Sequence, residues 1–408
     1  MYLRQLTRDI EDLHYIKPDA SSHTCSIEGD VRTIRKYYVS LWESLRECGL
    51  STCDCEQVHF ASLRLEPKPV VLKREITGRD YEDPFFNFKV LLVSKRPEVV
   101  DDTDVHFQEF EIRPLGCDAQ GDGVHFTHLP WPNEGPQVQD VCTDLVHFNT
   151  CNEESSIGFL ADVKVLSLRQ RFHPLTWNKE LRPSNLKELL DQSTSAPQRH
   201  WLTRCDRLSL AVTLACTMLQ LGETAWLQKF WSSADIVLMH PEGEVCRDID
   251  SQDIFPYLDW SLSALKGHVD EGFDLSKEAA NFVRSKPLLA LGLTLVELCM
   301  GQSLSSIREA EDYEASVVGT NFTTAKRFLH EVELQEGPLY RSIVERCLHS
   351  NFQTEKFDFG DDKFHKILIE NVVLPLVRLW NDFRGFDSST SQTNHSGTGP
   401  GRSKFRKA

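Results

Sequence analysis

The 408-residue chain has no uncharged apolar run of the about 18 residues that crossing a bilayer requires. Its longest apolar stretch, PLLALGLTLVELCM at 287–300, contains Glu297. The first residues, MYLRQLTRDIEDL, carry charges throughout and lack the apolar centre of a secretory signal. Positive charge is also short, with 45 Lys and Arg against 61 Asp and Glu for a net charge of -16, which argues against a duplex nucleic-acid surface because phosphate contacts need clustered cations. No Gly-x-Ser-x-Gly elbow, assignable Ser-His-Asp set or fixed-period repeat occurs. These absences set the expectation of a cytoplasmic chain without a membrane span, whose partner is a protein and not a nucleic acid. They also make reduced thiols the reading for the 12 cysteines and chance matches of the Asn-x-Ser/Thr sites at Asn321 and Asn394.

What is present is a composition able to bury a core, 40% hydrophobic and 26% charged. Helices are predicted at 2–14 and about 27–48, the second placing Ile27, Val31, Ile34, Tyr38, Leu41, Trp42 and Leu45 at helical spacing. Alternating apolar residues predict strands at 58–65, 85–93 and 106–112, followed by a Gly- and Pro-rich loop over 116–139. From about 137 the pattern turns helical: VQDVCTDLVHF, SNLKELLD, and a long helix from about Leu202 to Leu221 with a broad apolar stripe. Pro287 opens a helix that is apolar nearly all round and stops at Gly301. Further helices are predicted at 323–334, 338–349 and 361–380, the last interrupted by Pro375. From Ser388 the tail is small, polar and finally basic, and disorder is expected there.

The spacing within the second half is specific. After the helix ending Leu221-Gly222, thirteen residues lead to Ile236-Val237-Leu238, which reads as a short strand. LLALGLTLVELCMG at 288–301 carries Gly292, Glu297, Leu298 and Gly301, and YRSIVERCL runs from Tyr340 to Leu348. This order resembles the helical lobe of a protein kinase, in which a long helix, the catalytic loop, a short strand and a central apolar helix follow one another. On that resemblance the fold expected is α+β and two-lobed, with a small mainly antiparallel N-lobe at 35–136, a larger helical C-lobe at 137–387, a helical extension at 1–34 and a disordered tail at 388–408.

The same resemblance implies lost chemistry. The loop's His, Arg and catalytic Asp positions fall on Gln228, Lys229 and Phe230, and its Lys position on Ser232. Phenylalanine cannot accept the substrate's hydroxyl proton, the task of the base in kinase phosphoryl transfer. The metal-binding Asn position falls on Asp235, whose oxygens suit magnesium and make it the one residue with a cofactor-binding reading. No Asp-Phe-Gly occurs in DSQDIFPYLDW at 250–260, and the Asp that anchors the loop from the central helix falls on Pro287. No cofactor is expected.

The stretches CDC…H…LRL at 53–65, DVCTDL, IGFLAD, SNLKELL, RLSLAVTLACTMLQLGETAWLQKFWSSADIVL and FPYL resemble a kinase-like domain family of filamentous fungi over roughly residues 35–385. That resemblance implies a catalytically inactive interaction or signalling module, set in fungal incompatibility or cell-death pathways, with a HeLo-domain or NOD-like receptor protein as partner. Two alternatives stand beside it: an atypical phosphotransferase with relocated ligands such as Asp250 or Asp253, and a helical interaction protein unrelated to kinases.

Other candidates have plainer readings. Cys53, Cys55 and His59, with Cys48 upstream, offer zinc donors, but C-x-C lacks the usual reach and no second paired knuckle exists, so a structural role at a strand start is preferred. Lys89 or Lys95 could stand where a kinase lysine pairs with phosphates; the plainer reading is a solvated strand-end lysine. Gly121-Asp122-Gly123 is read as a turn. Trp226, Phe230 and Trp231 form an aromatic cluster that fits a partner hot spot, with core filling preferred.

Overall fold

The computed structural model describes residues 24–46, 58–66, 88–95, 105–115, 158–161, 169–174, 181–195, 202–227, 230–241, 255–261, 284–354 and 356–393. The first helix, α1 (Thr24–Leu45), matches the helix predicted over 27–48 and runs across the expected 34/35 boundary. Val31, Ile34, Tyr38, Leu41 and Leu45 are all buried, as the helical spacing requires.

The strands β1 (Val58–Arg64), β2 (Phe88–Lys95) and β3 (Val105–Leu115) lie where the alternating pattern put them. They join β4 (Gly158–Ala161), β5 (Arg169–Pro174), β6 (Leu181–Asn185), β7 (Ile236–Pro241) and β8 (Phe255–Ser261) in one antiparallel sheet of order β4-β5-β3-β2-β1-β8-β7-β6. The expectation that sequence beyond 137 is helical apart from the 236–238 strand is corrected here. Strands β4, β5, β6 and β8 are short, and residues such as Arg169, Arg171 and Arg182 interrupt any period-2 signal. Their strand character comes from cross-strand bonding, to segments distant in sequence for β5, β6 and β8 and to the neighbouring β5 for β4.

Register places Leu63 opposite Val90 and Leu258, and Val90 opposite Phe110, so these side chains share one face. That face meets α1, where the ring of Tyr38 sits edge-on to Phe88 with centroids 4.5 Å apart. The other face carries Ser62, Arg64 and Glu66 of the β1 segment, and it too is buried.

The described residues also include helices α2 (Leu186–Ser195), α3 (Arg204–Leu221), α4 (Lys286–Met300), α5 (Val317–Arg327), α6 (Leu329–His349, kinked at Gly337, φ 87), α7 (Asp362–Leu368) and α8 (Leu374–Thr393). A reciprocal cap starts α3: Thr203 Oγ1 accepts from Asp206 N–H at 3.2 Å, and Asp206 Oδ2 accepts from Thr203 N–H at 2.8 Å. Helix α4 is the centre, with Pro287 to Cys299 buried without a break. Gly292 lets α6 approach, since a Cβ there would lie 2.9 Å from Leu348 N. Tyr340 of α6 closes the contact by donating to Leu295 O at 2.9 Å.

The interruption predicted at Pro375 takes the form of a π-helical turn, Ile369–Val373, between α7 and α8, with Leu374 N–H bonding to Ile369 O. The wider turn accommodates the proline without ending the helical path. Helix α8 continues to Thr393, so residues 388–393 are helical where disorder is expected, and the tail beyond them lies outside the described residues. A helix already nucleated extends at one hydrogen bond per residue, so a polar end can follow a packed beginning. The helices predicted at 2–14 and in VQDVCTDLVHF, and the loop at 116–139, lie outside the described residues. No helix among the described residues is long and apolar enough to cross a membrane.

Candidate functional site

The segment between α3 and β7 joins a largely buried helix to the sheet, and its start is held by close packing. Gly222 N–H bonds to Met218 O at 2.9 Å, and a Cβ on Gly222 would fall 2.4 Å from the Phe359 ring. Glu223 follows in the left-handed region at φ 59, a costly conformation for a residue with a Cβ. Thr224 then folds back, its N–H and Oγ1 both donating to Leu221 O at 2.9 and 2.7 Å. From α1, Arg35 Nη1 donates to Gly222 O at 2.7 Å, placing a cation at the carbonyl end of α3 where the helix dipole favours it. Burial lowers the Arg35 pKa, with Glu223 and Asp358 opposing.

The aromatic cluster fills the interior. Trp226 and Trp231 are 1% and 2% exposed. Trp226 Nε1 donates to Tyr38 O at 2.6 Å, and half-buried Phe230 packs against the same core. Gln228 and Lys229 lie outside the described residues. Phe230 offers no proton acceptor at the position where the resemblance puts a base.

Ser232 and Asp235 are brought together in a structural task. They bracket a 3-10 turn, Ser233–Asp235, in which Asp235 Oδ2 accepts from Ser232 N–H at 2.8 Å and from Ser232 Oγ at 2.9 Å. Ala234 N–H donates to Ser232 Oγ at 3.3 Å. Burial raises the Asp235 pKa, while its bonds to Ser232 oppose the shift. A hard divalent cation takes six or more oxygens, and one carboxylate committed to a cap supplies a poor share of them. Among the described residues, no three His, Cys, Asp or Glu side chains gather as metal ligands.

Glu297 of α4 anchors this turn from below, accepting from Leu304 N–H at 2.9 Å and from the side chain of Ser233. Burial raises its pKa, and these two bonds work against that. The register that placed Glu297 in the central helix thus marks an anchor for the loop. Pro287, at the other end of α4, has no side chain able to do so.

At the start of the segment, along Glu223 to Leu227, lies a cavity of about 550 Å³ whose other walls are Arg284 to Pro287 and Phe357. It opens at the N-terminus of α4, a feature that motif spacing did not reveal. The signal present was only Ser285 before Lys286-Pro287, an ordinary helix start.

On the sheet's second face, charges form a network that alternation alone did not show. Arg64 Nε lies 3.1 Å from Glu66 Oε1 and Arg64 Nη1 3.2 Å from Glu109 Oε1, while Tyr257 OH donates to Glu109 Oε1 at 2.7 Å. Burial pulls the Arg64 pKa down, but Glu66 and Glu109 outweigh it and leave the pKa raised. Lys89 belongs to this network through Glu66 Oε1 at 3.1 Å, which corrects its reading as a solvated lysine. Its carboxylate partner comes from the β1 segment, and both its charge and its reach are used there. Lys95 lies on β2 and His59 on β1; Cys48, Cys53, Cys55, Gly121, Asp122, Gly123, Asp250 and Asp253 lie outside the described residues. Among the described cysteines, Cys216, Cys299 and Cys347 are free thiols. Burial pushes Cys216, Cys299 and Cys347 up to about 12, so they remain protonated and unreactive at neutral pH.

A comparison with curated proteins finds no match. Residues 35–382, from the middle of α1 into α8, match the family described as Domain of unknown function (DUF7580), and the chain belongs to that family.

Proposed function

We propose that the chain is a catalytically inactive kinase-like module that works by binding a protein partner. The observation carrying this reading is the use of Asp235: its buried carboxylate caps the 3-10 turn at 2.8 and 2.9 Å from Ser232, beside an apolar Phe230, so the segment is built as packing and not as a proton-transfer site. The order α3, turn, β7, β8, α4 supports the kinase-like part of the reading. A HeLo-domain or NOD-like receptor protein is the partner class that the resemblance suggests, and the net charge of -16 favours a partner with a basic face.

The test is transfer of labelled phosphate from ATP with magnesium to the chain itself and to generic protein substrates. No transfer above a heat-denatured control is expected. Labelling that persists in Phe230→Ala and vanishes in Asp235→Asn, with the variant still folded, would overturn the proposal.

A further inference from the structure

We propose that residues 402–408 of this chain dock in cis on the surface formed by Tyr313, Val317 and the acids around them. Tyr313 and Val317 are 67% and 72% exposed, four residues apart at the entry to α5. Arg308 holds the tyrosine ring from one side, its guanidinium carbon 5.5 Å from the centroid, and is itself fixed by donating from Nη2 to Asn321 Oδ1 at 2.7 Å. A tyrosine held in this way offers contact area at little cost in entropy. Glu309, Glu311, Asp312 and Glu314 surround it, four acids within six residues. The ion pairs of Glu309 and Asp312 both go to Arg327, at 2.9 and 2.7 Å, and Glu311 acts on the same guanidinium. Glu314 Oε1 accepts from Thr323 Oγ1 at 3.3 Å, while Lys326 acts on His349 of α6. Four carboxylates against Arg308 and Arg327 leave this surface negative.

The occupant follows from charge and reach. The chain has no Asp or Glu after Asp387, and RSKFRKA at 402–408 sets Arg402, Lys404, Arg406 and Lys407 around Phe405. In a chain of net charge -16, this segment has the sign and the aromatic anchor that an acidic surface with two apolar side chains complements. Residues 394–408 lie outside the described residues, but the helix they follow is placed. Arg204 stacks over Phe383 of α8, 4.7 Å from its centroid, and pairs with Glu336 of α6 at 2.9 Å. The adjacent Gln335 donates from Nε2 to Met300 Sδ at 3.8 Å. The second half of α8 and the end of α4, from which residues 301–316 lead to Tyr313, therefore share one side of the molecule. The twelve residues from Asn394 to Phe405 span at most about 40 Å when extended. The proposal goes beyond the interaction role and holds whether or not the chain transfers phosphate.

The experiment follows tryptic cleavage after Arg402 and Lys404 in the full chain by mass spectrometry, against the synthetic peptide of residues 394–408. Cleavage of a docked segment tracks the fraction undocked, so the chain is expected to be cut about tenfold more slowly than the peptide. That difference should shrink severalfold in Glu311→Gln/Glu314→Gln, in Tyr313→Ser, and at about 0.5 M salt, where the Debye length falls to about 4 Å. Leu334→Ser, a change at an equally exposed apolar side chain of α6, should leave it unchanged. Circular dichroism checks the fold of each variant. Carbodiimide coupling should join Lys404 or Lys407 to Glu309, Glu311 or Glu314 within one chain. Cutting as fast as the peptide, protection that persists in the Tyr313 and glutamate variants, or coupling of the tail to acids elsewhere would each overturn the proposal. So would coupling between isotopically distinct copies, which assigns the contact to a second chain.

Discussion

The indole N–H of Trp226 donates to the backbone oxygen of Tyr38 at 2.6 Å, joining positions 188 residues apart. This bond ties the segment after α3 to a helix that precedes every described strand. With Arg35 on Gly222 O, it makes α1 part of the structure of that segment. Trp226→Phe keeps the apolar bulk and deletes the donor, leaving a buried carbonyl without its partner. Chemical denaturation should show a loss of about 1–3 kcal/mol. A loss of under a few tenths would show that α1 does not hold the loop.

Glu297 makes a second test of the same segment. Alanine there removes the acceptor for Leu304 N–H and Ser233, and the expected cost is about 2–3 kcal/mol. Glutamine retains one amide oxygen and should cost less than alanine. Equal stability of the two variants would show that the carboxylate's bonds carry no weight.

The parts legible in the sequence were those where one local pattern dominates. Helix α4 is apolar on all sides between Pro287 and Gly301, and no other element suits such a run. The strand at Ile236 was found by its distance from Leu221. The Arg64, Glu66, Lys89, Glu109 and Tyr257 network was not legible, because its members come from four strand segments whose order β3-β2-β1-β8 sequence spacing does not encode. Strands β4 to β6 failed for the same reason: four to six residues long, they carry too few periods to be told from loops. Asp235 was legible as a carboxylate in the loop. Its use in a cap depended on Ser232 three residues earlier, a local pattern that a search for metal ligands passes over.

Gly292 tests the packing of the centre. Its missing side chain brings Leu348 N to 2.9 Å and Cys347 Cβ to 3.1 Å from where a Cβ would stand. Backbone cannot yield there as a flexible side chain would. Gly292→Ala gains helix propensity, but overpacking outweighs it, and a net loss of about 1–3 kcal/mol is expected from thermal or denaturant unfolding. A stabilised variant would mean that α4 and α6 separate at no cost.

His365 gives the chain a predictable response to acid. Its ring is fully buried on α7, and Nε2 lies 2.6 Å from Phe359 O. A carbonyl only accepts, so Nε2 holds the proton and Nδ1 the lone pair, without a hydrogen-bond partner and 3.9 Å from Asp362 Oδ1. Burial lowers the pKa, helped by Arg35 and Arg32 of α1 and opposed by the bond to Phe359 and by Asp362. A folded-state pKa below the unfolded value means that the neutral ring's contribution is complete above about pH 6.5 and is lost as pH falls from there toward the folded pKa. Unfolding free energies measured between about pH 7.5 and pH 5 should therefore fall on acidification. His365→Gln keeps a donor for Phe359 O and cannot take up a proton, so its stability should fall less over the same interval, whatever its value at neutral pH. Parallel curves for the two proteins would assign the acid sensitivity to other groups.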